Sequence, residues 1–198
     1  MKELVFESEP HVRGDGFIDG PCKLPETLQW PVGPNASPLF HLLSVPLGWL
    51  VPDVVEESTQ DRWVSVFISY DKTGYSHYGM MSSDDIDNSE AAVILHDMSG
   101  PERSMHNNQG SKSKNVKLVP ATDGDDNVAS YINSKPSWVQ DPIAIDGLRW
   151  ALSIYGPDID ICLGENRGIL SDGVGYVFLK SDFCSEAFGP VGKFFLQL

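Results

Sequence analysis

The chain has 198 residues, 41% of them apolar, with nine Phe, six Tyr and five Trp, which is ample material for one core. Asp and Glu number 28 against 14 Lys and Arg, a formal charge of −14. So acidic a chain is repelled by nucleic acid and by anionic membranes, and is matched electrostatically to a basic protein.

The charge is uneven. Residues 1–110 hold 17 acidic and 6 basic side chains, a net of −11, whereas residues 111–198 hold 11 and 8, a net of −3. The acidic surface is therefore expected in the first half. Cys22, Cys162 and Cys184 show no CxxC spacing, which argues against a disulfide framework or a zinc ribbon. The opening "MKELVFESEP" has neither a basic nor an apolar leader region. No apolar run approaches the roughly 18 residues of a membrane span. The expectation is a cytoplasmic protein.

In chain order, the first distinctive phrase is "LPETLQWPV" at 24–32. Proline removes a backbone donor and pushes the residue before it toward extended conformation. The phrase thus reads as an irregular extended stretch whose Gln29 bonds exposed backbone. "LFHLLSV" at 39–45 is a buried strand, and "PLGWLVPDVV" holds one helical turn between Pro46 and Pro52. In "RWVSVFISYD", Trp63, Ser65, Phe67 and Ser69 alternate with Val64, Val66, Ile68 and Tyr70, the period of a strand. An aromatic loop, "GYSHYGMM", follows with Tyr75, His77 and Tyr78. "SSDDIDNSEAA" opens a short helix on Asp84, Asp85, Asp87 and Glu90, carboxylates that suit the positive end of the helix dipole. "AAVILHD" is a further strand. Residues 100–115 and 121–130 are polar and aperiodic and read as connector. "LRWALSI", "VGYVFLKSD" and "KFFLQL" are the strands of the second half, with one turn in "FCSEAF".

Pro25, Gln29 and Pro31 recur as Pro136, Gln140 and Pro142, an offset of 111. "LFHLLSV" and "LRWALSI", then "VFISYD" and "VFLKSD", follow in the same order at nearly that offset. Ordered phrases at one offset predict an internal duplication. The expected fold is α+β, a strand-dominated single domain over 1–198 with few short helices. Its half-repeats, about 20–100 and 131–198, are joined by a polar connector at 100–130 and cover each other's sheets.

Two stretches carry a family resemblance: "GFIDGPCKLPETLQWPVGPNASPLFHLLSVPL" and "WVQDPIAIDGLRWALSIYGPDIDICLGENRGILSDGVGYVFLKSDF", with the terminal "FFLQL". Their markers are Trp30-Pro31, Gln140 and Gly173-Val174-Gly175-Tyr176. Over roughly residues 16–198 the chain resembles the YwqG-like family, whose biochemical function is uncharacterised. Within the first stretch, the strand "LFHLLSV" departs from the family pattern, with His41 and Ser44. The resemblance implies a duplicated, β-rich α+β fold and carries over no catalytic residues. Relatives of the family occur beside bacterial toxin genes, which implies an immunity role.

No histidine sits in HxH, HxxE or HExxH spacing, and "DGDDN" lacks the register of a calcium loop. His41, within an apolar strand, reads as a hydrogen-bonded core residue, and "RGD" at 13–15 as coincidence. No P-loop, nucleophile elbow or dinucleotide fingerprint occurs. The expectation is a non-enzymatic immunity protein, with no metal and no cofactor. It neutralises a basic toxin encoded by a neighbouring gene, a nuclease for example, by occluding its active cleft. Asp84, Asp85, Asp87, Glu90, Tyr75, Tyr78 and His77 are the candidate partner-binding residues, an acidic rim around aromatic anchors. The alternative is a small-molecule or peptide-binding module with a pocket near His77 and Trp138.

Overall fold

The computed structural model describes residues 1–51, 61–70, 75–81, 90–104, 110–121, 130–132 and 135–198; for 35, 75, 76 and 78 it describes the backbone alone. Among the described residues, ten strands form in chain order: β1 (Lys2–Pro10), β2 (Gly16–Ile18), β3 (Phe40–Pro46), β4 (Arg62–Ile68), β5 (Ala91–Asp97), β6 (Lys114–Pro120), β7 (Tyr131–Ile132), β8 (Leu148–Tyr155), β9 (Val174–Lys180) and β10 (Gly189–Gln197). The short helices described are α1 (Leu47–Leu50), α2 (Tyr75–Met81) and α3 (Gly156–Leu163). Single 3-10 turns include Phe183–Ser185, in the "FCSEAF" stretch.

The strands close into one antiparallel barrel in the order β1-β6-β2-β3-β4-β5-β10-β9-β8-β7, with β7 returning to β1. Strand alternation fills it. Val64, Val66 and Ile68 of β4, Val93 and Leu95 of β5, and Val177 and Leu179 of β9 are fully buried in the principal core. Leu47 and Leu50 of α1 and Ile159 and Leu163 of α3 join the same core. Among the described residues no helix is long and apolar enough to cross a membrane.

This corrects the expected two-half α+β arrangement. The two strand groups do not cover each other's sheets. β5 pairs edge to edge with β10, Leu95 opposite Gly189 and Ile94 opposite Pro190. β1 bridges the other side, pairing with both β6 and β7. Open edges would leave rows of unpaired backbone groups, and closure satisfies them. The closing strands arise where none was expected. β1 lies in the opening decapeptide, where Leu4 and Phe6 are buried while Glu3 and Glu7 alternate with them. β6 lies inside the stretch read as connector.

A second, outer layer explains the repeated proline phrase. Cys22, Leu24, Trp30 and Leu39 pack over Phe67 and Ile94 on the outside of the barrel. Trp138, Ile143 and Ile145 pack over Tyr176, Phe178 and Phe195. Each phrase is thus an extended cover laid across strands, where missing proline N–H groups break no ladder. Side-chain clips hold the covers. Trp30 Nε1 donates to Leu39 O at 2.8 Å, and Gln140 Nε2 donates to Leu198 O at 2.9 Å. Tyr176 Oη donates to Ser137 O at 2.7 Å.

Thiol chemistry follows this burial. Cys22 has no exposed surface and Cys162 is buried, and burial pushes both thiols up to about 11. Cys184 is only partly buried. In native protein at pH 8, a disulfide reagent should therefore titrate Cys184 fast and the other two only on denaturation. Fast modification of all three in the native state would contradict the layered packing.

Candidate functional site

The outer face of β2 to β5 is where polar chemistry collects. β3 carries a bulge against β4 between His41 and Leu43. A bulge re-aims side chains, and here it lets residues three apart share one face. Leu42 and Leu43 join the core, while His41 and Ser44 meet each other on the outer side. The same spacing recurs at the bulge of β8, where Trp150 Nε1 donates to Ser153 Oγ at 3.2 Å.

Four side chains make a continuous chain. His41 Nε2 lies 2.8 Å from Ser44 Oγ, Ser44 Oγ lies 2.5 Å from Ser65 Oγ, and Ser65 Oγ lies 2.6 Å from His96 Nε2. Cross-strand register sets it, with Ser44 opposite Ser65 and His96 opposite Trp63. Cys22 Sγ approaches Ser65 Oγ from the cover at 3.8 Å. All four residues of the chain have zero exposure. Burial, the largest cause, pulls His41 down to about 3 and His96 down to about 4. A hydroxyl beside an imidazole is the arrangement of a nucleophile and its base. Here it has no surface open to a substrate.

A cavity of about 670 Å³ opens over this region, its lining including His11, Arg13, Phe17, Lys23, Trp63 and Glu102. Phe17 is the partition. Its ring centroid lies 4.8 Å from that of His11, 5.8 Å from Trp63 and 5.3 Å from the buried His41. The rim mixes charges, with Lys23 Nζ 3.5 Å from Glu102 Oε1. An aromatic floor with both signs at the rim suits a polar side chain or a small polar ligand. A second cavity, about 610 Å³, is lined by residues including Met81, Gln140, Ile143 and Gln197. Among the described residues, no three His, Cys, Asp or Glu groups converge as metal ligands.

No protein-family model matches the chain, and no curated protein matches it.

The structure distributes the expected partner-binding residues as follows. Asp84, Asp85 and Asp87 lie outside the described residues, as do the side chains of Tyr75 and Tyr78. His77 corrects the loop reading, because it sits in α2. Its Nε2 lies 2.7 Å from Ile169 O and its Nδ1 3.4 Å from Ser171 Oγ, so both nitrogens are engaged within the fold. Glu90 is half-buried beside Gly79, and its carbonyl accepts from Ser69 N at 2.6 Å. Trp138 lies on Tyr176 and Phe178. Neither His77 nor Trp138 lines the two cavities described above. His11 draws no role from its spacing and Arg13 reads as part of a coincidental "RGD", because the walls that complete the cavity, Trp63, Met98, Glu102 and Ser113, come from distant parts of the chain. Arg13 and Gly14 belong to "RGD", and the cavity forms on that turn.

Proposed function

We propose that this is a non-enzymatic acidic binding protein, an immunity protein that neutralises a basic toxin by covering its active cleft. The observation that carries the reading is where the cations go. Arg62 donates to the carbonyls of Cys184 and Glu186. Arg103 donates to those of Leu24, Pro25 and Leu28. Lys117 pairs with Glu7, Lys180 with Glu186 and Lys23 with Glu102. These basic groups serve internal contacts, and a formal charge of −14 remains to project a negative field. Such a field speeds association with a basic partner and selects against nucleic acid. The YwqG-like resemblance supports the immunity role by association.

The test is surface-binding kinetics against the basic protein encoded beside this gene. Charge reversal at Asp84, Asp85 and Asp87 should slow association at low salt and flatten its salt dependence, because rim charges act mainly on the on-rate. Tyr75→Ala or Tyr78→Ala should speed dissociation, a true anchor being worth about 2 kcal/mol or more. Kinetics unmoved by these changes would remove these residues from the interface. Absence of binding would favour a second reading, a small-molecule or peptide-binding module, which the cavity over Phe17 and Trp63 supports.

A further inference from the structure

We propose that the buried chain His41–Ser44–Ser65–His96 is a proton-binding site, which takes up one proton shared between its two imidazoles and refuses a second. The argument is a count of hydrogens. At one end His41 Nδ1 lies 3.3 Å from Gly20 O, and at the other His96 Nδ1 lies 2.5 Å from Asp97 O. A carbonyl oxygen only accepts, so both Nδ1 atoms carry the hydrogen. In neutral imidazoles each Nε2 is then a bare acceptor. Three links join those two nitrogens through the serine oxygens, at 2.8, 2.5 and 2.6 Å. Two hydroxyls supply two hydrogens for three links.

With both rings neutral, Ser44 gives its hydrogen to His41 and Ser65 gives its own to His96. The two serine oxygens then face each other at 2.5 Å with nothing between them. One proton taken from water completes the set. Placed on His96 Nε2, it is donated to Ser65, Ser65 turns to Ser44, and Ser44 donates to His41. The mirror arrangement puts the charge on His41, and relay along the same atoms interconverts the two. A second proton would give four hydrogens for three links and two like charges in a site with no exposed surface.

The surroundings fit one charge and no more. Asp97 favours protonation of His96, and Arg103 in the adjoining extended stretch opposes it. From the cover, Cys22 remains a thiol, and the backbone of Asp19 and Gly20 accepts from His41. From β2, Phe17 separates the chain from His11 in the cavity. On β6, Asn115 is held by Glu7 and Asp15. Proton uptake therefore places a charge behind the floor of the cavity without opening the barrel.

The experiment is a pH titration of the full chain labelled with 15N histidine, from pH 8 to 3, with circular dichroism confirming the folded state. Long-range proton–nitrogen spectra read each tautomer. At pH 8 both His41 and His96 should show the Nδ1–H tautomer. On acidification both should shift with one common midpoint and a summed amplitude of one imidazolium. Ser44→Ala and Ser65→Ala should each split that midpoint into two. The wild-type titration decides by itself if a variant fails to fold. The proposal is overturned by an Nε2–H tautomer at either residue at pH 8, by separate midpoints reaching two imidazoliums, or by no shift before unfolding.

Discussion

Arg103→Ala should lower the free energy of unfolding by about 3 kcal/mol, a sum of charge-assisted hydrogen bonds worth about 1.5–3 kcal/mol each at good geometry. Arg103 pins the first cover to the barrel. Its backbone exchanges hydrogen bonds with Cys22, at 2.9 and 3.0 Å. Its guanidinium donates to Leu28 O at 2.9 Å and, more weakly, to Leu24 O and Pro25 O at 3.3 Å. The same group lies 6.0 Å from the centre of the Trp30 ring, which in turn meets Phe67 edge-on. Truncation leaves carbonyls of a half-covered layer without donors and keeps the backbone bridge. Arg103→Lys should recover only part of the loss, because all three bonds run from the one nitrogen Nη2 and the shorter, non-planar ammonium loses the planar contact with the Trp30 ring. Urea unfolding followed by tryptophan fluorescence measures both. A loss under about 0.5 kcal/mol, the range of an ordinary surface change, would mean that the cover holds without its clamp.

Acid should destabilise the fold between about pH 6.5 and pH 4, and the two buried histidines set that window. Their folded-state pKa values lie below the ordinary 6.5, His96 at about 4 and His41 at about 3, chiefly through burial. The unfolded chain therefore binds protons first as pH falls. The stability these groups contribute is whole above about 6.5 and declines toward the folded-state values. One imidazole kept neutral from 6.5 to 4 corresponds to about 3 kcal/mol at about 1.4 kcal/mol per unit. With both folded-state values at or below about 4, both imidazoles stay neutral over that range, and the expected loss is about twice that. Domains commonly have only about 5–15 kcal/mol in hand, so the fold should be visibly weaker at pH 4.5. The His41→Gln/His96→Gln variant, compared with wild type by urea midpoint at pH 7 and pH 4.5, isolates this part from the carboxylates. Equal pH dependence in the two proteins would show that neither histidine governs it.

Local patterns announced much of the secondary structure. Alternation in "RWVSVFISYD" and the apolar runs "LFHLLSV" and "LRWALSI" match β4, β3 and β8. Pro46 stands at the start of the one-turn α1, and the proline phrases, read as irregular extended stretches, lie as covers over the barrel, the first with a turn at Leu28 N to Pro25 O. His41 was legible as a hydrogen-bonded core residue because it interrupts an apolar strand, a context in which an imidazole must find partners.

Composition by itself determined the acidic charge, a sum over the whole chain, and spacing determined the positions of the central strands and of the irregular proline stretches. The last two are properties of neighbours within about ten residues, where period and proline act directly. Closure was decided only in three dimensions. β1 must find β6 across more than a hundred residues, and β5 must find β10 across almost as many. Free strand edges enforce such pairings, but no short phrase encodes which edges meet. The polar chain had the same fate. Ser44, Ser65 and His96 stand on three strands and read singly as ordinary strand residues. Only the registers of β3 against β4, shifted by the bulge beyond His41, and of β4 against β5 bring them within hydrogen-bond reach.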